Sequence, residues 1–241
     1  MANVNQSITT DDSALQQVRE DRFLIDAYDA WLLEEISPYL GKRILEIGCG
    51  LGNLIRYLKD KEFVLGIDTS LESIVNLRSQ YKGSPNLSFE HADITENKIL
   101  QYDKYRFDTV VSLNTLEHIC NDELALKHSL RLLLPKGYLI LIVPAHQWLY
   151  GTMDASIGHY RRYSKKDLLS KLTALGFKVK MQKYINAAGA VGWLINGRII
   201  RQRVPPQNQL KIMNLVVPSL KRLERSINMP IGISIITIAE G

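Results

Sequence analysis

The segment most suited to ligand binding is rich in glycine and begins with an acid. Its candidate residues are Glu46, Gly48, Cys49, Gly50, Gly52 and Asn53. Glycine has no side chain, so the backbone at these positions can approach a ligand closely. A short apolar run at 44–47 precedes the segment and predicts a buried strand, and a helix-spaced apolar run at 54–58 follows it. Strand, glycine loop and helix N-terminus in this order are typical of a site for a nucleotide-like ligand.

The position of the third glycine distinguishes between two kinds of nucleotide ligand. A dinucleotide site requires Gly-x-Gly-x-x-Gly, but position 53 is Asn and the glycine stands one residue earlier, at Gly52. Glu46 precedes the first glycine, and a carboxylate repels a diphosphate but attracts a cation. The segment resembles Glu-x-Gly-x-Gly-x-Gly, the first motif of the class I S-adenosylmethionine (SAM)-dependent methyltransferases, at all four positions. That resemblance implies SAM as the cofactor and S-adenosylhomocysteine as its product.

A second acid ends the next apolar run, at 63–68. Asp68 follows Gly48 by about twenty residues, the spacing at which a carboxylate accepts both hydroxyls of a ribose. NAD enzymes use the same arrangement. Asp68 therefore indicates an adenosyl ligand but does not distinguish SAM from NAD. Thr69 and Glu72 have the spacing of a capping box, and helix capping is therefore the alternative role for this region.

The resemblance implies two more contacts with the cofactor. Asp93 would bond the adenine amino group, and Ala92 and Ile94 flank it as apolar residues that cover the ring. The backbone near Asn114 would border the methionine end of SAM. Asn114 is not followed by Pro-Pro-Tyr, the pattern associated with amino methylation of nucleic-acid bases. The sequence therefore argues against a base-modifying enzyme.

Histidines in three loops are the candidate catalytic residues. A hydroxyl or ammonium acceptor must lose a proton, so a base with a pKa near neutrality assists methyl transfer. The loops that contain His159, His118 and His146 are expected to reach the face formed by the strand ends. The alternative for each of them is a structural role. No metal site is predicted.

The long connection at 144–163 is rich in aromatic and cationic residues, which favours a functional loop. Its run Gly-His-Tyr-Arg-Arg-Tyr at 158–163 resembles a sequence in one bacterial branch of small-molecule methyltransferases. Arg161 and Arg162 are candidates to clamp a carboxylate or phosphate, or they pair with surface acids. The predicted substrate-binding residues are Tyr28, Tyr150, Tyr160, Arg161, Arg162, Tyr163 and Trp193. Arg22 and Phe23, near Tyr28, are further candidates, with core packing as the alternative.

The elements that must hold these residues alternate regularly between strand and helix. The pattern predicts an α/β fold with a doubly wound, mostly parallel seven-stranded sheet and helices on both faces. Ligands of such sheets bind beyond the carboxyl ends of the strands, where the glycine loop, Asp68, Asp93 and Asn114 all fall. We expect one domain over 1–241, with an N-terminal helical cap at 1–40 and a helical insertion at 185–229.

The predicted insertion has three open roles. Residues 184–197 carry no charge and include Trp193, and Arg198, Arg201 and Arg203 follow. The apolar run is shorter than the ~20 residues that span a bilayer. The insertion is therefore a lid, a dimer interface or an element that lies in a membrane interface.

Composition narrows the function further. The chain has 241 residues, 46% of them hydrophobic and 23% charged, as suits one globular domain. Two cysteines without C-x-x-C spacing suggest a reducing, cytoplasmic setting. Residues 159–228 contain fifteen Lys and Arg against two acids, a net charge of +13, and the rest carries −8. This asymmetry favours an anionic substrate, an anionic membrane surface or nucleic acid, but the stacking platform for single strands is missing.

These observations lead to one expected function and one alternative. The first is transfer of a methyl group from SAM to an oxygen or nitrogen of a small-molecule metabolite, anionic or hydrophobic, by a monomer or homodimer. The alternative is a membrane-peripheral methyltransferase or adaptor that acts on a lipid or lipid-linked sugar.

Overall fold

The computed structural model describes residues 11–21, 26–227 and 229–241. Two helices, α1 (Asp12–Asp21) and α2 (Asp26–Ile36), precede the first strand, in the region where the sequence predicts a helical cap. Trp31 of α2 is 1% exposed and packs against the sheet. Arg22 and Phe23, which the sequence offers as lining candidates, lie outside the described residues.

Seven strands form a single sheet. They are β1 (Arg43–Ile47), β2 (Phe63–Asp68), β3 (Leu87–His91), β4 (Phe107–Leu113), β5 (Leu133–Pro144), β6 (Lys178–Ile185) and β7 (Ser234–Glu240). The strand order is β3-β2-β1-β4-β5-β7-β6. β7 runs antiparallel to both of its neighbours, and the other neighbouring strands pair in parallel. The predicted mostly parallel, seven-stranded sheet is confirmed.

Helices cover both faces of this sheet. The remaining α-helices are α3 (Leu71–Gln80), α4 (Asp122–Leu132), α5 (Thr152–Ser156), α6 (Lys165–Leu175), α7 (Ala187–Trp193) and α8 (Gln207–Ser226). Successive strand residues point to opposite faces, so Ile44 packs against α2 and α3 while Leu45 packs with α4 and α6. Each fully buried aliphatic side chain contributes about 1.5–3 kcal/mol. The two apolar layers thus fix the strand ends, where the site lies, and confirm the doubly wound prediction.

The segment after the glycine loop differs from its prediction. A single 3-10 turn at Ile55–Tyr57 stands where the apolar pattern predicts a longer helix. Leu54, Ile55 and Leu58 are buried, but the polar residues 59–62 follow at once and offer no second apolar turn to pack. The glycine loop therefore does not face the N-terminus of an α-helix.

Helix ends follow local side-chain chemistry. Ser164 and Asp167 form a capping box at the start of α6, and Gly176 ends that helix with φ +103°. At α3 the cap is Ser70, whose hydroxyl accepts a hydrogen bond from Ser73 N, rather than the predicted Thr69. The predicted helix is present, but it begins one residue later.

The chain between β6 and β7 is helical, as predicted. α7 continues into a π-helical stretch, Leu194–Ile200, and α8 follows after a short extended connection. α8 packs on α2, where Asn214 accepts a hydrogen bond from Ala27 N and both Lys221 and Arg225 pair with Glu34. No helix in the described part of the chain combines the length and apolarity that crossing a bilayer needs.

Candidate functional site

A cavity of about 1070 Å³ lies at the carboxyl ends of the parallel strands. Its floor consists of the glycine loop after β1, the end of β2 and the loops after β3 and β4. Its roof consists of residues from α1, α2, α7, the π-helical stretch and α8. The helical insertion therefore closes the cavity on the side away from the sheet. A space of this size fits a nucleoside cofactor together with a small second ligand.

The glycine loop turns tightly beneath the cavity. Gly48, Gly50 and Gly52 all have positive φ, at +74°, +50° and +80°, a conformation that residues with a Cβ rarely adopt. A Cβ at Gly48 would lie 2.3 Å from Thr115 Oγ1, so close packing also requires glycine there. A Cβ at Gly50 would meet nothing within 4 Å, because this backbone faces open space. The loop thus offers bare backbone to a ligand.

Three carboxylates flank this loop. Asp68 accepts hydrogen bonds from Gly50 N and Ser70 N, one on each oxygen and both at 2.8 Å, so each oxygen keeps a free lone pair. Asp93 accepts two hydrogen bonds through a single oxygen, one from the backbone N–H of Thr95 and one from its hydroxyl. Burial, together with the charge of Asp68, raises the pKa of Glu46 well above its usual value. Glu46 Oε2 is buried without a hydrogen-bond partner among the described residues.

The charge of the cavity wall selects the kind of ligand. Five carboxylate side chains and one guanidinium occur among the lining residues that the structure describes: Asp21, Glu46, Asp68, Asp93, Glu117 and Arg162. The guanidinium is already paired with Asp154. A diphosphate would lack a counter-charge in these surroundings, whereas a cationic ligand with ribose hydroxyls would find partners. The residues present therefore fit a sulfonium nucleoside such as SAM.

A comparison with protein families agrees with this geometry. Residues 19–182 match the family model described as a methyltransferase domain. The chain is a member of that family. It is a class I SAM-dependent methyltransferase domain with the Rossmann-like sheet typical of the class, which confirms the predicted family and the predicted cofactor.

Two curated relatives match about half of this methyltransferase. A ubiquinone biosynthesis O-methyltransferase of Coxiella burnetii (strain RSA 493 / Nine Mile phase I) is 32% identical over 110 residues, which cover 44% of this chain and 45% of that protein. The protein of the same name from Maricaulis maris (strain MCS10) is 29% identical over 141 residues, covering 53% of this chain and 55% of that protein. The methyltransferase thus spans about half the length of the curated relatives it matches.

Solved structures show the same architecture. The crystal structure of an S-adenosylmethionine-dependent methyltransferase from Mesorhizobium loti superposes with a TM-score of 0.59, covering 86% of this chain and 96% of that one. The two sequences are 14% identical, so the likeness concerns the fold.

A buried histidine–carboxylate pair stands at the end of the cavity roofed by the insertion. His159 Nδ1 lies 2.8 Å from Asp154 Oδ1, and Arg162 Nε donates to the same oxygen at 2.7 Å. Trp193 Nε1 donates to the other oxygen at 2.9 Å. Burial raises the pKa of Asp154, but the hydrogen bond from His159 and the charge of Arg162 outweigh it, so the pKa is lowered. An ionised Asp154 accepts a hydrogen bond from Nδ1–H, so His159 Nε2 faces away from Asp154.

Glu117 faces that second nitrogen and was not a predicted site residue. Its Oε1 lies 3.7 Å from His159 Nε2, and neither oxygen has a hydrogen-bond partner within the described ranges. Burial raises the pKa of Glu117 to about 7, although the charges of His159 and Arg162 oppose the shift. Its position beside His118, directly after the fourth strand, was the available signal in the sequence.

Two of the three candidate histidines lie together at the cavity, and the third lies elsewhere. His118 and His159 both line the cavity, with ring centroids 4.6 Å apart at a near-perpendicular angle. Glu117, His118 and His159 offer donor atoms within 4.8 Å of one another, a spacing that allows them to share a cation. His146 is not among the residues that line the cavity, since its ring stacks on Tyr184 and packs beside Trp148.

The predicted substrate-binding residues also fall into two groups, those that line the cavity and those that do not. Tyr28, Tyr160, Arg162 and Trp193 line the cavity; Tyr150, Arg161 and Tyr163 are not among its lining residues. Tyr150 donates its hydroxyl to His159 O, and Tyr163 donates to Asp122 and is 1% exposed. The structure gives these two tyrosines supporting positions behind the site.

Neither arginine offers a free clamp for an anion. Arg161 pairs with Asp122 and donates to the carbonyl oxygens of Ile119 and Cys120. The Arg162 side chain is 1% exposed and bonded to Asp154 and Ala145 O. The alternative considered from the sequence, pairing with acids, describes both of them, although the acid beside Arg162 is buried rather than at the surface.

Each predicted cofactor residue lies on or beside the cavity. Those that line it are Glu46, Gly48, Cys49, Gly50, Asn53, Asp68, Thr69, Ala92, Asp93, Ile94 and Asn114. Gly52 stands behind the loop, where a Cβ would contact Leu77 at 2.6 Å. Asn114 has φ +49° and donates its N–H to Ile142 O, which fixes the loop after β4. Cys49 is buried, and burial raises the pKa of its thiol, so the side chain packs as a small apolar group.

Proposed function

We propose that this methyltransferase transfers a methyl group from SAM to a hydroxyl oxygen or an amine nitrogen of a small hydrophobic molecule. The observation that carries the proposal is the pair of buried side chains His159 and Glu117 at the cavity wall, with Asp154 bonded to His159 behind it. An acceptor O–H or N–H must lose its proton during the transfer, and these side chains can receive it.

The cofactor is assigned to the glycine-loop side of the cavity. Asp68 is assigned to the ribose hydroxyls and Asp93 to the adenine amino group, with Ala92 and Ile94 beside the ring. Glu46, whose Oε2 has no partner among the described residues, is assigned to the cationic end of the ligand. SAM, when bound, supplies an electrophilic methyl group on a positively charged sulfur.

His159 is assigned as the base. Asp154 accepts a hydrogen bond from Nδ1–H and fixes the ring, so Nε2 carries the lone pair that receives the acceptor's proton. The resulting imidazolium is stabilised by Asp154 and, once ionised, by Glu117 at 3.7 Å. A correctly oriented base of this kind contributes about 10²–10⁴-fold to a rate. Glu117, with its pKa raised to about 7 by burial, is the second candidate for this role.

The rest of the acceptor end is mainly apolar. Met153, Ile157, Trp193, Leu210 and Met213 line it, and both predicted anion clamps are engaged elsewhere. These contacts favour a hydrophobic acceptor over an anionic one. The curated relatives carry the name ubiquinone biosynthesis O-methyltransferase, which supports a hydroxyl acceptor.

A lipid or lipid-linked sugar is the second candidate acceptor. The observation that favours it is the exposed apolar and cationic outer surface of the insertion.

Calorimetric titration of the purified chain with SAM, S-adenosylhomocysteine and NAD tests the cofactor assignment. We expect both adenosyl-sulfur ligands to bind, and Asp68→Asn to weaken them at least about tenfold because one hydrogen-bond acceptor becomes a donor. Asp60→Asn, at an exposed position, is the matched control. Binding of NAD, or SAM affinity unchanged in Asp68→Asn, would contradict the assignment.

The acceptor class is tested with radiolabelled SAM. Panels of hydrophobic phenols, alcohols and amines are compared with matched carboxylated compounds, and transfer of label is expected to the hydrophobic members. Labelling of the carboxylated compounds alone would overturn the proposed acceptor class.

A further inference from the structure

The outer surface of the insertion exposes an unusual number of large apolar side chains. On α7 and the π-helical stretch they recur every four residues, at Val191, Ile195 and Ile199, which are 57%, 41% and 69% exposed. On α8 they are Ile212, Leu215, Val216 and Leu223, and Leu215 is 80% exposed. Exposed apolar groups that recur on one segment mark an interaction surface.

The exposed apolar residues of α8 form one face of that helix. At 3.6 residues per turn they fall within an arc of about 100°. A second face, centred about 120° further round the helix, holds Met213, Val217, Leu220 and Glu224, which are buried or half-buried. The exposed arc is therefore additional to the face that packs on the protein.

Cations border this arc. Lys211 and Arg222 lie beside Leu215 on the helix circumference, about 20–40° away. Neither cation forms an ion pair within the part of the chain that the structure describes, and neither does Arg198 or Arg201. Residues 186–227 contain a single acid, Glu224, and its carboxylate is buried against Asn186 N and Ala187 N. The exposed charge of this surface is thus positive.

We propose that residues 191–227 dock on an anionic lipid bilayer. An apolar arc flanked by Lys and Arg is the pattern of a helix that lies in the membrane interface, with apolar side chains in the acyl boundary and cations at the headgroups. A second copy of this chain would bring the unpaired cations of two equivalent surfaces together, and nothing acidic on this surface would offset their repulsion. Charge complementarity therefore selects the anionic bilayer.

Docking places lipid next to the roof of the cavity. Trp193, Asn196 and Gln209 line the cavity from the inner side of the same helices, and Asn196 and Gln209 are hydrogen-bonded to each other. The bilayer surface then lies about one helix diameter, ~10 Å, from the cavity. An acceptor carried by the bilayer would then reach the site without crossing bulk water. This consequence rests on the proposed function.

Sedimentation with vesicles tests the docking without any assay of methyl transfer. The full chain is mixed with sucrose-loaded vesicles of phosphatidylcholine alone or of equal parts phosphatidylcholine and phosphatidylglycerol. We expect binding to the anionic vesicles that weakens with added salt. Ile212→Glu/Leu215→Glu should lower the partition coefficient by at least about tenfold, and Lys211→Gln/Arg222→Gln by roughly the same factor.

Matched variants keep the test specific. Val75→Glu/Leu169→Glu makes the same apolar-to-acid change at exposed positions on α3 and α6, and Lys82→Gln/Lys127→Gln removes two exposed cations elsewhere. These controls should bind vesicles like the unaltered chain. Absence of vesicle binding, or equal loss in test and control variants, overturns the proposal.

A third outcome would also overturn the proposal: the chain does not bind vesicles but self-associates in analytical ultracentrifugation, and Ile212→Glu/Leu215→Glu abolishes the self-association. The surface would then be a contact between copies. SAM titration of each variant separates this inference from the cofactor assignment. Vesicle binding by a chain that does not bind SAM would leave the docking standing while the proposed function fails.

Discussion

Glu117 Oε1 lies 3.7 Å from Nε2 of His159, and both side chains are buried at the wall of the same cavity. At this distance the charge of His159 acts on Glu117 and opposes the rise that burial causes in the pKa of the carboxyl group. Asp154 holds the imidazole from its opposite nitrogen.

Glu117 should make the stability of the protein depend on pH. Its pKa is raised from 4.5 to about 7 by burial, so the folded state binds this proton more tightly than the unfolded state. That contribution to the free energy of unfolding is complete below about pH 4.5 and is lost as the pH rises to about 7. Glu117→Gln lacks the titration and should gain up to about 3 kcal/mol relative to the unaltered chain across this window. Urea unfolding at several pH values measures the difference. Glu123→Gln, at an exposed carboxylate, should show no such gain.

His159→Gln should lower the rate constant of methyl transfer about 10²–10⁴-fold at saturating SAM, since no other imidazole is held by Asp154. The affinity for SAM should not change. His146→Gln should leave the rate nearly unaffected, because His146 packs on Tyr184 and is not among the lining residues. Single-turnover measurements with the acceptor found in the labelling panel decide this. Equal losses in the two variants would remove His159 from the base role.

Asp154→Asn should destabilise the fold strongly. The substitution leaves the Arg162 guanidinium, whose side chain is 1% exposed, without its counter-charge. Removing one partner of a buried ion pair costs about 3–5 kcal/mol. Urea unfolding at neutral pH measures the loss, and Asp60→Asn at an exposed site should change little. A loss below about 1 kcal/mol would show that the pair is solvated, as at a surface.

Gly48→Ala and Gly83→Ala form a matched pair that separates backbone strain from crowding. Both glycines have positive φ, at +74° and +95°, but a Cβ at Gly83 meets nothing within 4 Å. Gly83→Ala should cost only the strain, about 1–2 kcal/mol. Gly48→Ala adds a contact at 2.3 Å to Thr115 and should cost about 1–3 kcal/mol more. Thermal unfolding of the two variants gives the difference. Equal costs would mean that Thr115 moves aside freely.

The sequence alone determined the layered fold and the cofactor side of the site. Short apolar runs alternate with helical patterns, and in a parallel sheet the residues after each strand must meet at one edge. Gly50, Asp68, Asp93 and Asn114 could therefore be placed together by counting along the chain, since each lies at the end of a strand or within three residues after it.

Only the tertiary structure decided the acceptor side. Glu117 follows β4, whereas Asp154 and His159 lie in the connection between β5 and α6, and their order in the chain does not reveal which of them meet. Packing sets their chemistry, because burial raises the pKa of Glu117, and the hydrogen bond from His159 and the charge of Arg162 lower the pKa of Asp154. For the same reason Arg162 lies in a buried ion pair, and His146 packs outside the lining of the cavity. Long loops have no period that fixes their path, so their side chains are placed by packing rather than by pattern.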